Sequence, residues 1–469
     1  MESTLCEESV QEAGDDVLAN YDKYLYEKYH VFFLDPRERP FIESDGQDFL
    51  KKYGGMSGFY GFSCDSLSVT GEKTAVDDKG IYLRYQISEY MKNRKAVDAG
   101  SALINLIKSS SDMQEKQGKG IADFEEKPEP REEVEKEKEQ SPETARQRVL
   151  WSELKKTLTG IVHSGILLYA ADDPGSISSL TIGKAGLPSK SYGKMDSDME
   201  SLSLSGLSLS KLSEWRTYLN SDVLSGMESI DLKEGAYLMD YLFECFSHYE
   251  DKPAKDKTAL KYELEYIIAG RKTDQDNLRI VADRILMIRF LTNYAYASGD
   301  PAINGEAELM AAAVMGILGL PEGKEAVKTL LIAALSLGES VLELHAVMNG
   351  ERVALVKNSS NWNISFSTAP GLLIQKSLLH PAKTGVGYED YLRLFLAAGM
   401  KKNILIYRVM DIMQVNAGLE EAGFRMADAL FFFEWDISCQ CPRWFINLPG
   451  AGKGTDSFFR VDIHRRVSY

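Results

Sequence analysis

The run PGAGKGT, Pro449–Thr455, has the residue types that hold phosphate. Glycines let backbone N–H groups close around phosphate oxygens, a lysine reaches the terminal ones, and a helix starting there adds its dipole. Those parts work in the order strand, loop, helix within an α/β domain. Here Asn447 stands where the first glycine should be, and the 14 residues after Thr455 alternate as a strand. Without a helix N-terminus the anion site is not built, so the run reads as a hairpin loop and Lys453 as a solvated charge. Cys439-Gln440-Cys441 offers two thiols, but the spacing is not that of a zinc knuckle, and no second Cys or Cys/His pair completes four ligands. On a strand the two share one face, where they read as small buried side chains. A disulfide between them is awkward, because residues i and i+2 of a strand lie near the upper limit of Cα separation.

The six histidines, His30, His163, His248, His345, His380 and His464, lie far apart, and no His-Glu-x-x-His occurs. Glu339 and Glu343 share a helix face at i, i+4, with His345 off that face. Such a pair can do acid and base work, yet helix surfaces carry such charges readily, so solvated or capped glutamates are the expectation. No G-x-S-x-G elbow anchors serine hydrolase chemistry. Tyr21, Tyr24, Tyr26 and Tyr29 read as rings packed at a rim with wet hydroxyls. No residue is therefore assigned as catalytic, cofactor-binding or metal-ligating, and no cofactor is expected.

Composition narrows the classes further. The 469 residues correspond to about three domains at roughly 150 residues each. With 54 basic against 70 acidic side chains the net charge is -16, the wrong sign for neutralising a nucleic acid, so no nucleic-acid partner is expected. Five cysteines, an odd number, argue against a disulfide framework. No apolar run is long enough to span a bilayer; MAAAVMGILGL, Met310–Leu320, stops at a Pro-Glu-Gly turn. The first residues are acidic and no signal-peptide apolar region follows them.

The elements that would position these residues follow from hydrophobic period. In DDVLANYDKYLYEKY, Val17, Leu18, Tyr21, Leu25 and Tyr29 recur at three and four, predicting one helix with Asp15 or Asp16 in its N-terminal turn, ending before Val31. VFFLDP should be extended, and FSCDSLSV and the Asp78-Lys79-Gly80 turn into IYLRYQISEYM predict strands and then a helix near Gln86–Lys95. Glu125–Glu139 has 12 charged residues in 15 and reads as a tether. The Leu/Ser alternation from Ser201 to Leu212 permits a strand only if Gly206 bulges it. Beyond lies a bundle of about six helices, in which Gly270 ends one helix, Thr273 or Asp274 caps the next, and Leu278, Val281, Ala282, Ile285, Leu286 and Arg289 form a face. Phe433, Trp435, Ile437, Cys439 and Cys441, then Phe459, Val461 and Ile463, alternate with polar residues as two strands of a hairpin. The expected fold is α+β: an N-terminal helix with an antiparallel sheet completed by the C-terminal hairpin, plus an inserted mainly helical bundle. The expected division is 1–108 with 424–469 as a pilin-like α+β unit, 109–149 as a charged linker and 150–423 as a helical domain.

Several blocks keep a common order. DDVLANYDKYLYEKYHVFFLD, LRYQISEYMKNRKAV at Leu83–Val97, the segment Leu260–Pro301, and YEDYLRLFL with YRVMDIMQVN at Tyr388–Asn416 resemble an uncharacterised family of membrane-anchored envelope proteins from Gram-positive bacteria. That family is associated with tight-adherence (Tad, Flp-type) pilus genes and is similar to TadE/TadG-like minor pilins at the N-terminus. The resemblance implies a non-enzymatic structural or interaction protein at the extracytoplasmic face of the membrane or cell surface, with other envelope or pilus-assembly proteins as partners and no small-molecule ligand. It supplies no catalytic residues. The family's anchor helix precedes the segment matching Glu7–Leu18 and is missing here, so the chain is expected to be the part outside the membrane. The competing reading is an enzyme, foremost a nucleotide-binding one using Lys453; titration of wild type and Lys453→Ala with Mg-ATP separates the two.

Overall fold

The alternation of Phe433 to Cys441 is realised in β2, the centre of a three-stranded sheet of order β1-β2-β3. A computed structural model describes residues 2–54, 61–92, 94, 142–183, 186–193, 232–251, 257–318, 324–380, 382, 385–400, 402–442 and 458–469. In chain order its elements are α1 (Glu2–Leu18), α2 (Lys23–Tyr29), α3 (Ile42–Gly54), β1 (Ser63–Thr74), α4 (Ile81–Lys92), α5 (Pro142–Ser164), α6 (Ile166–Ala170), α7 (Pro188–Ser191), α8 (Leu232–Cys245), α9 (Glu263–Ala269), α10 (Asp274–Gly299), α11 (Pro301–Leu318), α12 (Lys324–Met348), α13 (Ala369–Gln375), α14 (Tyr388–Gly399), α15 (Asn403–Glu420), β2 (Leu430–Pro442) and β3 (Phe458–Ser468). The fold is α+β. The charged run Glu125–Glu139, the Leu/Ser run Ser201–Leu212 and the loop Pro449–Thr455 with Lys453 lie outside the described residues.

The chain divides into two compact units. The first takes Met1–Lys95, Gly183–Met195 and Ile406–Tyr469, so both ends of the chain build it. Both strand pairs are antiparallel, with Trp435 opposite Val69 on one side and Arg465 on the other. Alternation puts Phe433, Trp435, Ile437, Cys439 and Cys441 on one face, where they form a core with Cys6, Val10, Ala13 and Val17 of α1 and Ile42 and Leu50 of α3. Two glycines set the helix distances: a Cβ at Gly46 would lie 2.6 Å from the Trp435 ring, and one at Gly14 would lie 2.7 Å from Val467.

The expected single N-terminal helix is two. The Asp22 carboxylate accepts the Leu25 N–H (2.8 Å) as the cap of α2, and its own N–H donates to Phe33 (2.8 Å). A short polar side chain that can cap competes with continuation of the helix, and here the cap wins. Asp15 and Asp16 accordingly sit exposed near the C-terminal end of α1, not in an N-terminal turn. The turn at Asp78 and Lys79 is left-handed, as is Gly80 (φ 73°), and it leads directly into α4. Ile81–Tyr85, expected as strand, are helical because Leu83, Ile87 and Met91 share a buried stripe of period four.

The observed boundaries differ from 150–423. The expected linker ends early, since residues 142–149 already belong to α5. Gly183–Met195 and α15 from Ile406 onward fall in the first unit. Inside that unit Tyr407 donates to the Val76 carbonyl (3.2 Å), Asn416 donates to the Tyr29 hydroxyl (2.8 Å), and Asp411 accepts the Ser189 N–H (2.9 Å). The helical period of α15 was legible, but the unit it joins depends on these distant partners.

The second unit, Ala96–Ile182 with Asp196–Leu405, is built around α10 and α12. Gly270 ends α9 at φ 67°, and the Thr273 hydroxyl caps α10 by accepting the Asp276 N–H. Among the described residues α12 is the one helix long and apolar enough to cross a membrane, with mean hydropathy 1.6, but 83% of that stretch is buried in the protein. It is a core helix of this unit.

Candidate functional site

Two of the three carboxylates of α12, Glu339 and Glu343, lie in its C-terminal half. Expected to be solvated or capped, Glu339 and Glu343 are instead 0% and 1% exposed. Burial is tolerated because two cations come to them. Arg289 of α10 is itself 0% exposed, and its Nε and Nη2 donate to Glu343 Oε2 (2.8 Å) and Oε1 (2.7 Å) as a fork. Lys357, from the loop after α12, pairs with Glu339 and with Glu343 Oε1 (2.7 Å) and donates to the Asn361 carbonyl (2.9 Å). Asn293 Nδ2 donates to Glu343 Oε2 (2.7 Å) and Ser340 Oγ (2.8 Å), while Asn363 donates through Nδ2 to Glu339 Oε1 (2.7 Å) and through its backbone N–H to Oε2 (3.2 Å).

Two negative charges thus meet two positive ones, and each of the four carboxylate oxygens has a donor. Burial alone would push both acids up. For Glu343 the Arg289 and Lys357 charges outweigh it and hold the carboxyl below its ordinary range; for Glu339 burial prevails and raises it. A general acid or base must exchange a proton with a substrate within hydrogen-bond reach. These oxygens are buried and already hydrogen-bonded, and the network ties α10, α12 and the 357–363 loop together. The i, i+4 pair Glu339 and Glu343 and Arg289 on an otherwise apolar face were the sequence signals of this network; Lys357 and Asn363 gave none.

Other buried acids of the unit are also tied to backbone. Asp274 accepts Ser178 Oγ (2.6 Å) and the backbone N–H groups of Lys261 (2.9 Å) and Tyr262 (3.2 Å). Glu265 accepts the Tyr388 hydroxyl (2.7 Å) and the Tyr249 N–H (2.9 Å) at Oε1, while Oε2 has no hydrogen-bond partner among the described residues, and burial pushes its carboxyl up to about 7.

A more open place is a cleft of about 440 Å³ lined by His345, Glu351, Arg352, Lys376, Ser377 and Leu378. The His345 Nδ1 lies 3.0 Å from the Ala170 carbonyl, and its Nε2 lies 3.4 Å from Asp172 Oδ1. Arg352 is engaged by the Gly385 carbonyl (2.7 Å) and Asp390 (3.0 Å). Lys376, held left-handed at φ 52°, sets its ammonium 5.0 Å from the Tyr169 ring centre. Among the described residues no hydroxyl or thiol is hydrogen-bonded to the imidazole. A His-Asp pair without a nucleophile is not a hydrolytic triad.

The remaining histidines do not converge. His30 caps α2 and stacks on Tyr90, His163 bonds back to Thr159, His248 faces Asp251, the His380 N–H meets Asn363, and His464 meets Asp436 across two strands. Of the tyrosines, Tyr21 and Tyr26 pack on Phe32, but Tyr29 departs from the rim expectation: it is fully buried, its hydroxyl bonded to Asn416. In the first unit the carboxylates of Asp22, Asp35 and Glu421 lie within 4.8 Å of one another, and Arg37 already bridges Asp35 and Glu421. Cys439 and Cys441 are buried on the sheet, near Cys6 and Cys64.

A family described as a family of unknown function (DUF5702) matches residues 147–441, more than half of the chain. The chain belongs to this family. No curated protein and no solved structure matches it. The DUF5702 segment runs from α5 to β2 and contains every member of the Arg289, Glu339, Glu343 and Lys357 network, whereas Cys6, Cys64 and Lys453 lie outside it.

Proposed function

We propose that this DUF5702 protein is a non-enzymatic structural or interaction protein of the bacterial cell envelope, serving as the extracytoplasmic part of a pilus-associated, tight-adherence-type component. The observation that carries the non-enzymatic part is the charge network of α10 and α12. The family segment holds Arg289, Glu339, Glu343 and Lys357 paired at nearly zero side-chain exposure, with a donor on every carboxylate oxygen. Charges buried and paired in this way suit a structural role better than proton exchange with a substrate. The ordered sequence blocks support the envelope part, and the cleft beside His345 offers a partner a place to seat a side chain.

The test is to express the full gene in a Gram-positive host, fractionate the cells, and crosslink the intact envelope. Recovery with the envelope and crosslinks to another envelope or pilus-assembly protein are expected. Recovery in the cytosol alone would overturn the envelope reading, and a turnover abolished by Glu339→Gln in a still folded protein would overturn the non-enzymatic one.

A further inference from the structure

In the first unit Cys64 of β1 and Cys439 of β2 are direct cross-strand partners. Opposed residues of an antiparallel pair point to the same face with Cα atoms roughly 4.5–5.5 Å apart, inside the range of about 4.4–6.8 Å that a disulfide spans. Cys6 of α1 belongs to the same apolar cluster, Cys64 packs against it, and both thiols neighbour that of Cys439. One central sulfur therefore has two neighbours. Cys6 and Cys439 are fully buried, while Cys64 is partly exposed, so a reagent arriving from solvent meets Cys64 first. Cys441 is a poorer partner for Cys439, because two residues of strand separate them by roughly 6.7 Å. Cys245 belongs to the other unit.

We propose that Cys64, Cys439 and Cys6 form a thiol–disulfide exchange site whose substrate is a small-molecule disulfide, with Cys64 as the entry nucleophile, Cys439 as the resolving thiol and Cys6 as the alternative partner. The proposal is independent of the envelope reading. The Cys64 thiolate attacks one sulfur of the disulfide RSSR; a new S–S bond forms to Cys64, the old one breaks, and RS⁻ leaves with the electron pair. Cys439 gives its proton to that RS⁻ and attacks Cys64 Sγ, expelling the second RS⁻, which takes up the proton first lost by Cys64. Two protein thiols are oxidised by two electrons and one RSSR becomes two RSH. Attack of the Cys6 thiolate on Cys439 Sγ then releases the Cys64 thiolate and moves the bond inward with no net redox change, tying α1 to β2. The contact with Cys439 lowers the pKa of the Cys64 thiol, and contacts with Cys6 and Cys64 raise that of Cys439, so the thiolate forms first at Cys64 and Cys439 attacks only as the departing RS⁻ takes its proton.

The test incubates the full chain in glutathione buffers of graded oxidised-to-reduced ratio, alkylates free thiols, and maps the peptides by mass spectrometry, with circular dichroism reporting the fold. A disulfide joining Cys439 to Cys64 or Cys6 is expected in the folded chain. Cys439→Ala should stop at a glutathione adduct on Cys64. The milder Cys64→Ser, at a partly exposed position, should slow formation of the Cys6–Cys439 bond about tenfold or more, because the entry thiolate is gone. Three thiols that stay alkylatable at every ratio would overturn the site. So would disulfides that form only through Cys441 or Cys245, or a Cys6–Cys439 bond that forms at the wild-type rate in Cys64→Ser.

Discussion

Lys357 supplies one of the two charges that make a pair of buried glutamates tolerable, and its removal leaves Glu339 without a cation. Breaking a buried pair from one side costs about 3–5 kcal/mol, far more than the pair contributes against an apolar substitute. Lys357→Met should therefore lower unfolding stability in urea by that amount, and Glu339→Gln in the same chain should return part of it. If the double variant loses the sum of the two single losses, the groups are not coupled. Glu265 carries the opposite lesson, a buried acid with no cation. Its folded pKa of about 7 lies above the unfolded value, so its contribution is fully present below about pH 4 and is lost as pH rises through 7. The difference of roughly 2.5 units corresponds to about 3 kcal/mol. Glu265→Gln should flatten the stability profile between about pH 4 and 8; a profile with the wild-type slope would show that another group titrates. Glu343, held below its ordinary pKa, acts with the other sign: its contribution is present above the unfolded value near pH 4 and fades as pH falls through the folded one.

Elements differ in how closely they approach, and glycine reports it. Gly46 and Gly305 both sit inside helices, where Gly→Ala ordinarily gains about 0.5–1 kcal/mol. Gly305 of α11 has open space around it, and Gly305→Ala should show that gain. In α3 a methyl at Gly46 meets the Trp435 ring at 2.6 Å, and that ring is fully buried and cannot give way. Overpacking of this kind costs about 1–3 kcal/mol, so Gly46→Ala should destabilise. Thermal unfolding of the two variants decides, and stabilisation by both would remove the close contact of α3 with the sheet. The elements themselves were readable where one period runs unbroken, as in β2, β3, α10 and α12. Reading failed at Asp22, where a cap interrupts a good stripe, and at Ile81–Tyr85, where an apolar run fits either period until its neighbours select one face.

The molecule as a whole joins its two ends in one unit. β3 closes the free edge of β2 and adds Val467 to the core that holds Cys6 and Cys439. Deleting residues 458–469 should make Cys6 and Cys439 react with alkylating reagent in native buffer. The α10 and α12 amides should keep their slow hydrogen exchange, since they belong to the other unit. Unchanged thiol reactivity, or exchange lost in both units together, would contradict that division. By itself the sequence determined the α+β class, the C-terminal hairpin with its buried face, the helical bundle and the Gly270–Thr273 helix boundary. All of these rest on period, caps and glycine, which act within a few residues. Only the tertiary structure decided that Glu339 and Glu343 are buried, that α15 belongs with the sheet, and that Cys439 has two thiol neighbours. The deciding partners stand far off in sequence: Arg289 is 54 positions from Glu343, and Cys64 is hundreds from Cys439. Burial and charge compensation are properties of neighbours in space, and a local pattern of residues does not contain them.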